Sequence, residues 1–129
     1  MGYIYFEGTI ASGLGRGAYF LSMGYYKGKL KNKLGFEPYL GTLNLHIGRE
    51  KSGLLNKIMP IRIGSFKKGG KTYAGASCYR IKSNGIDAAI IVPDLTAHGE
   101  KMVEVIAPVN LKSQLKIKDG DKIKIDVAQ

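Results

Sequence analysis

One cysteine in 129 residues, Cys78, excludes an internal disulfide. It fits a chain that folds in a reducing compartment such as the cytoplasm, with the thiol serving as a small buried hydrophobe. Long apolar runs are also missing. None approaches the ~18 residues that a membrane helix needs, so no span is expected. The first ten residues, MGYIYFEGTI, lack a basic segment followed by an apolar one. No signal peptide is expected from them, and their alternation reads as a strand instead. Acidic residues are scarce, ten against twenty Lys plus Arg, for a net charge of +10. The imbalance is sharpest from Lys27 to Thr72, where eleven basic residues face only Glu37 and Glu50. Such a field draws polyanions, whether nucleic acid, membrane phosphate or a nucleoside triphosphate. Prolines number four and glycines eighteen, which indicates turns and close backbone approaches rather than disorder. With 44% hydrophobic residues, the length suits one domain, 1–129, with a real core.

The pattern along the chain predicts mostly strands. Tyr3 to Ile10 alternates, and a glycine-rich loop follows at 12–17. Tyr26, Leu30 and Leu34 recur at helical spacing among lysines, which predicts a short amphipathic helix over 25–34 that stops near Gly35. Further strands are expected at 41–47, 58–66, 71–81, 86–93, 102–107 and 122–127. Lys68-Gly69-Gly70-Lys71 and Asn84-Gly85 are hairpin turns between neighbours. Asn110 is placed to cap one helical turn over 111–115. Many short strands with glycine turns in one small domain imply a closed barrel, which leaves no exposed edges. Side chains fill such a barrel, so ligands are expected at one end, on the loops.

Three segments have residues suited to chemistry. In Gly13-Leu14-Gly15-Arg16-Gly17, alternate glycines let successive N–H groups converge on phosphate oxygens; the same residues also fit a flexible β-turn loop. No Gly-Lys-Ser/Thr closes it as a Walker loop, and no βαβ unit follows as in a dinucleotide fold. In the strand beginning Gly41-Thr42-Leu43-Asn44, residues 42 and 44 face one side. A hydroxyl and an amide oxygen so placed suit Mg²⁺, and they equally fit a solvated strand face. The third is the polar loop 93–100 with the strand after it. There Thr96 and Glu104 are candidate contacts to a polar small molecule. Glu104 sits among Met102, Val103, Val105 and Ile106, where a carboxylate needs a partner or a task; an outward pairing with a lysine is the other reading.

Other chemistries find no support. His46 and His98 have no companion at zinc-ligand spacing, and no Gly-x-Ser-x-Gly turn suggests a serine nucleophile. The eight tyrosines lack an RNA-binding aromatic pattern and read as strand packing.

The order GLGRGAYFLS, LGFEPYLGTLNL, a Thr-x-His loop, EVIAPVNLK and KDGDKIKI resembles the archaeal CTP-dependent riboflavin kinases over about residues 7–125. The resemblance implies an all-β, six-stranded barrel of the cradle-loop kind with one or two short helices. It implies a cytoplasmic enzyme that transfers the γ-phosphate of CTP to the 5′-hydroxyl of riboflavin, giving FMN and CDP with Mg²⁺. By the same resemblance, Gly13, Leu14, Gly15, Arg16, Gly17 and Ala18 would wrap the CTP phosphates. Thr42 and Asn44 would ligate Mg²⁺, and Thr96 and Glu104 would contact the flavin. Val109, Asn110, Leu111 and Lys112 would contact the nucleotide. Glu104 is also the candidate to orient the ribityl hydroxyl or accept its proton. Two positions depart from relatives: Arg16 stands where they can carry Glu, and Leu40 where many carry Pro. A monomer with no membrane or nucleic-acid partner is expected. The rival class is a basic β-barrel that binds nucleic acid without catalysis, with Lys27 to Lys33 as its contact surface.

Overall fold

A computed structural model describes residues 4–11, 24–39, 42–47, 55, 57–94 and 102–127. The described residues form nine strands and two helices: β1 (Ile4–Ala11), α1 (Gly24–Leu34), β2 (Leu43–His46), β3 (Ile61–Ile63), β4 (Phe66–Lys68), β5 (Lys71–Tyr73), β6 (Ala76–Ser83), β7 (Ile86–Pro93), β8 (Met102–Ile106), α2 (Leu111–Leu115) and β9 (Lys122–Val127). Six strands close into an antiparallel barrel in the order β6-β7-β8-β2-β1-β9, and β9 returns to β6. Closure depends on β6, whose second edge is shared. Ala76–Cys78 pair with β3, while Ile81 and Lys82 pair with Val127 and Asp126 of β9. No helix among the described residues is long and apolar enough to cross a membrane.

Alternation along each strand sorts the side chains. The inner face collects Ile10, Leu43, Leu45, Ile81, Ile90, Val103, Val105, Ile123, Ile125 and Val127 into one cluster. On β9 the pattern is plain: Ile123, Ile125 and Val127 are buried, and Lys122 and Lys124 are exposed. Strand β7 breaks the alternation because both of its faces are covered. Ala88 and Ile90 point inward, whereas Ala89 and Ile91 belong to a second cluster outside the barrel. Helix α1 supplies the other half of that cluster. Tyr26, Leu30 and Leu34 are buried against Ile63, Ala76, Cys78, Ala89, Ile91 and Ile106. Each fully buried aliphatic side chain there contributes about 1.5–3 kcal/mol of transfer free energy.

The ends of α1 follow from local chemistry. Lys31 and Lys33 lie in its last turn, where cations complement the helix dipole. Arg80 donates from β6 to the carbonyls of Leu34 and Lys33, at 2.8 Å each, and satisfies two groups that the helix leaves open. Gly35 takes φ +85° just past the end, a conformation that side chains disfavour. An aromatic stack runs from Tyr25 to Phe66 (4.1 Å between centroids) and on to Tyr73 (4.9 Å), tying α1 to the β4–β5 hairpin.

Two long strands expected from the sequence, 58–66 and 71–81, are instead four shorter ones. Breaks at 64–65 and 74–75 send β4 and β5 away as a separate hairpin, while β3 and β6 pair with each other. The Gly69-Gly70 turn is where the sequence places it.

Candidate functional site

The site starts from the register of β2 against β8. Leu43 lies opposite Val105, and Asn44 lies opposite Glu104. Because Leu43, Leu45, Val103 and Val105 fill the barrel, Asn44 and Glu104 alternate onto its outer wall. Both are buried there, Glu104 only 3% exposed and Asn44 9%. Neither is on a solvated face, and both lie on strands, where the sequence pattern places them. They occupy strands, in line with the row that α1 covers, since Glu104 also lies opposite Ile91 of β7.

Thr42 precedes β2 and shares the face of Asn44. Its hydroxyl donates to Glu104 Oε1 at 2.9 Å across 62 residues of sequence. Asn44 Oδ1 is buried and has no hydrogen-bond partner among the described residues. A buried amide oxygen left open is costly, at about 1–3 kcal/mol, and is suited to a hard cation. The hydroxyl and amide oxygens of Thr42 and Asn44 therefore fit Mg²⁺, which usually takes one or two protein oxygens and completes its shell with water and substrate phosphate. No cluster of three or more His, Cys, Asp or Glu side chains competes as a metal site among the described residues.

Thr42 also lines an open pocket of about 260 Å³ at the rim where β2 begins and β8 ends. One wall is Tyr39, Leu43, Val105 and Ala107, and the other is Val109, Asn110, Leu111 and Lys112. Residues 109–112, which the resemblance implies as nucleotide contacts, thus share a pocket with Thr42, one of the two metal ligands it implies. The wall from 109 to 112 is fixed by α2. Asn110 caps it, accepting from Ser113 N at 3.3 Å, while its amide nitrogen donates to the Tyr39 hydroxyl at 3.3 Å. Tyr39 N donates to Ala107 O at 2.7 Å and closes the opposite side. Lys112 pairs with Asp119 at 2.7 Å, which orients its ammonium at the pocket edge.

Tyr39 and Asp119 were not singled out from the sequence. Tyr39 stands in the GFEPY stretch, the most specific part of the resemblance, and Asp119 in the KDGD turn. The glycine loop (Gly13, Leu14, Gly15, Arg16, Gly17, Ala18), Thr96, Leu40 and His98 lie outside the described residues. His46 is exposed on β2.

At the end of β7, where the segment carrying Thr96 begins, Arg62 and Asp94 form a two-pronged ion pair at 2.7 and 2.8 Å. The guanidinium, hydrogen-bonded to the carboxyl, holds Asp94 below the usual carboxylate range. This pair ties the end of β7 to β3.

Comparison with known proteins identifies the family. The family model CTP-dep_RFKase, described as domain of unknown function DUF120, matches residues 10–127. A protein named riboflavin kinase from Methanosarcina acetivorans is 43% identical over 120 residues, which is 91% of this chain and 51% of that protein. Proteins of the same name from Pyrococcus furiosus and Thermococcus kodakarensis are 42% and 41% identical, over 92% and 95% of this chain and 56% and 58% of theirs. The chain spans about half the length of these curated relatives. The family match extends from β1 through β9 and takes in Thr42, Asn44, Glu104 and the pocket wall, so the chain belongs to the CTP-dependent riboflavin kinase family.

Proposed function

We propose that this chain is a CTP-dependent riboflavin kinase domain, converting riboflavin and CTP into FMN and CDP with Mg²⁺. The observation that carries the reading is the convergence of Thr42, Asn44 and Glu104 beside a pocket walled by Val109, Asn110, Leu111 and Lys112. The name of the relatives, riboflavin kinase, agrees with it.

Phosphoryl transfer asks for charge neutralisation, in-line placement and a path for one proton. The ribityl 5′-oxygen forms a bond to the γ-phosphorus, the bond to the bridging oxygen breaks, and CDP departs. Thr42 and Asn44 would hold Mg²⁺. Bound there, the cation would offset charge on the triphosphate. Val109 to Lys112 would seat the cytidine end, with backbone groups around α2 available to read a base edge. The glycine loop, Gly13 to Ala18, would contribute N–H groups to the phosphates. Thr96 and Glu104 would contact the flavin, and Glu104 would orient the 5′-hydroxyl and accept its proton.

The test is purified protein with riboflavin, Mg²⁺ and each nucleoside triphosphate in turn, with FMN separated by chromatography. FMN formation with CTP above the other nucleotides is expected. Absence of FMN with all four, together with salt-sensitive binding to generic RNA, would assign the chain to the nucleic-acid-binding class instead.

A further inference from the structure

The hydrogen bond from Thr42 to Glu104 gives the carboxylate a task separate from flavin contact. We infer that Glu104 is a positioning residue for the cation site: it holds the Thr42 hydroxyl with its proton turned away from the pocket, so that the oxygen lone pairs face the metal. This inference rests on the metal reading of Thr42 and Asn44.

A threonine hydroxyl carries one proton and two acceptor lone pairs. Left free, the hydroxyl rotates about its C–O bond, and its lone pairs have no fixed direction before a cation arrives. Donation to Glu104 Oε1 at 2.9 Å removes that freedom. A charged acceptor also makes the bond stronger than a neutral one. Glu104 is itself fixed. It is 3% exposed, and its backbone is locked opposite Asn44 by the β2–β8 register. One carboxylate therefore borders both proposed ligand positions, through a hydrogen bond to the hydroxyl and across the strand pair from the amide. Outer partners of metal ligands typically contribute about 10–100-fold to metal affinity.

The readout is Mn²⁺ binding to the intact protein with CTP and no riboflavin, followed by electron paramagnetic resonance of the protein-bound ion. No turnover enters the measurement. Glu104→Ala is expected to weaken Mn²⁺ binding by about tenfold or more. Thr42→Val is expected to weaken it at least as much, and the double variant no further than Thr42→Val alone, because the carboxylate acts through the hydroxyl. Glu104→Gln keeps an acceptor for Thr42 and is expected to recover most of the loss. It also serves if Glu104→Ala does not fold. Losses that add in the double variant, or a Glu104→Gln variant that binds Mn²⁺ at least tenfold more weakly than wild type, would overturn the positioning role alone. Failure of the wild-type protein to bind Mn²⁺ with CTP would instead overturn the metal reading and this inference with it.

Discussion

Asn44 and Glu104 are direct partners across β2 and β8, both buried on the outside of a barrel whose inside is apolar. Burying an amide and a carboxylate side by side is unfavourable unless something answers them. Thr42 answers one carboxylate oxygen, and the amide oxygen of Asn44 stays open among the described residues. The strand pairing thus maintains a polar spot that packing alone would remove.

Cys78 tests whether the outer cluster is as closed as its packing indicates. The residue is fully buried beneath α1, and burial pushes its thiol up to about 12. At pH 8 it is both inaccessible and un-ionised, and the thiolate is the reactive form. Native protein should leave an aromatic disulfide reagent unreacted over hours, with one thiol released per chain in denaturant. Rapid stoichiometric labelling of native protein would mean that α1 lifts readily from β6.

Glycine at 75 is required by proximity. A Cβ built there would lie 2.1 Å from Ile63 O and 3.2 Å from Asp94 Oδ2. Gly75→Ala must push β3 off β6, at a cost of about 1–3 kcal/mol, as for other overpacked sites. Gly28, in the exposed middle of α1, meets nothing within 4 Å. Gly28→Ala should therefore stabilise by about 0.5–1 kcal/mol. Urea melts of the two variants, with opposite shifts in midpoint and unchanged slopes, are the expected result.

What the sequence made legible was local. Asn110 and the turn after it, the run Ile86 to Pro93, and the alternation of Lys122 to Val127 each carry their signal within a few residues, and the strands and helix match it. The breaks at 64–65 and 74–75 were not legible, because they come from β3 and β6 pairing while the hairpin between them turns aside. The site divides the same way. Spacing places Thr42 and Asn44 on one face, but the meeting of Thr42 with Glu104, 62 residues away, depends on the register of β2 against β8. Arg62 with Asp94, 32 residues apart, is hidden for the same reason.

That ion pair predicts a pH dependence. Arg62 lowers the Asp94 carboxyl in the folded chain below its unfolded value near 3.8. Its stabilisation is fully present above that unfolded value and is lost as pH falls through the lower folded one. The stability gap between wild type and Asp94→Asn should accordingly be constant from pH 7 down to about 5 and shrink below about pH 4. Both partners are substantially exposed, so the gap should be modest and fall further in high salt. Thermal melts across the acid range at two ionic strengths check it, and a gap that widens on acidification would contradict the assignment.

The open oxygen of Asn44 leads to a prediction that separates stability from function. Asn44→Leu exchanges a buried amide for an apolar side chain of similar size between Ala11 and Glu104. With no partner among the described residues lost at Oδ1, the unliganded protein should gain about 1–3 kcal/mol and melt several degrees higher. The same variant should require far more Mg²⁺ for FMN formation, because one hard oxygen of the proposed site is gone. A stabilised chain with a steeply shifted Mg²⁺ titration is what a retained functional polar group looks like. A destabilised chain with an unchanged titration would mean that Asn44 is a structural residue whose amide is satisfied in the folded protein.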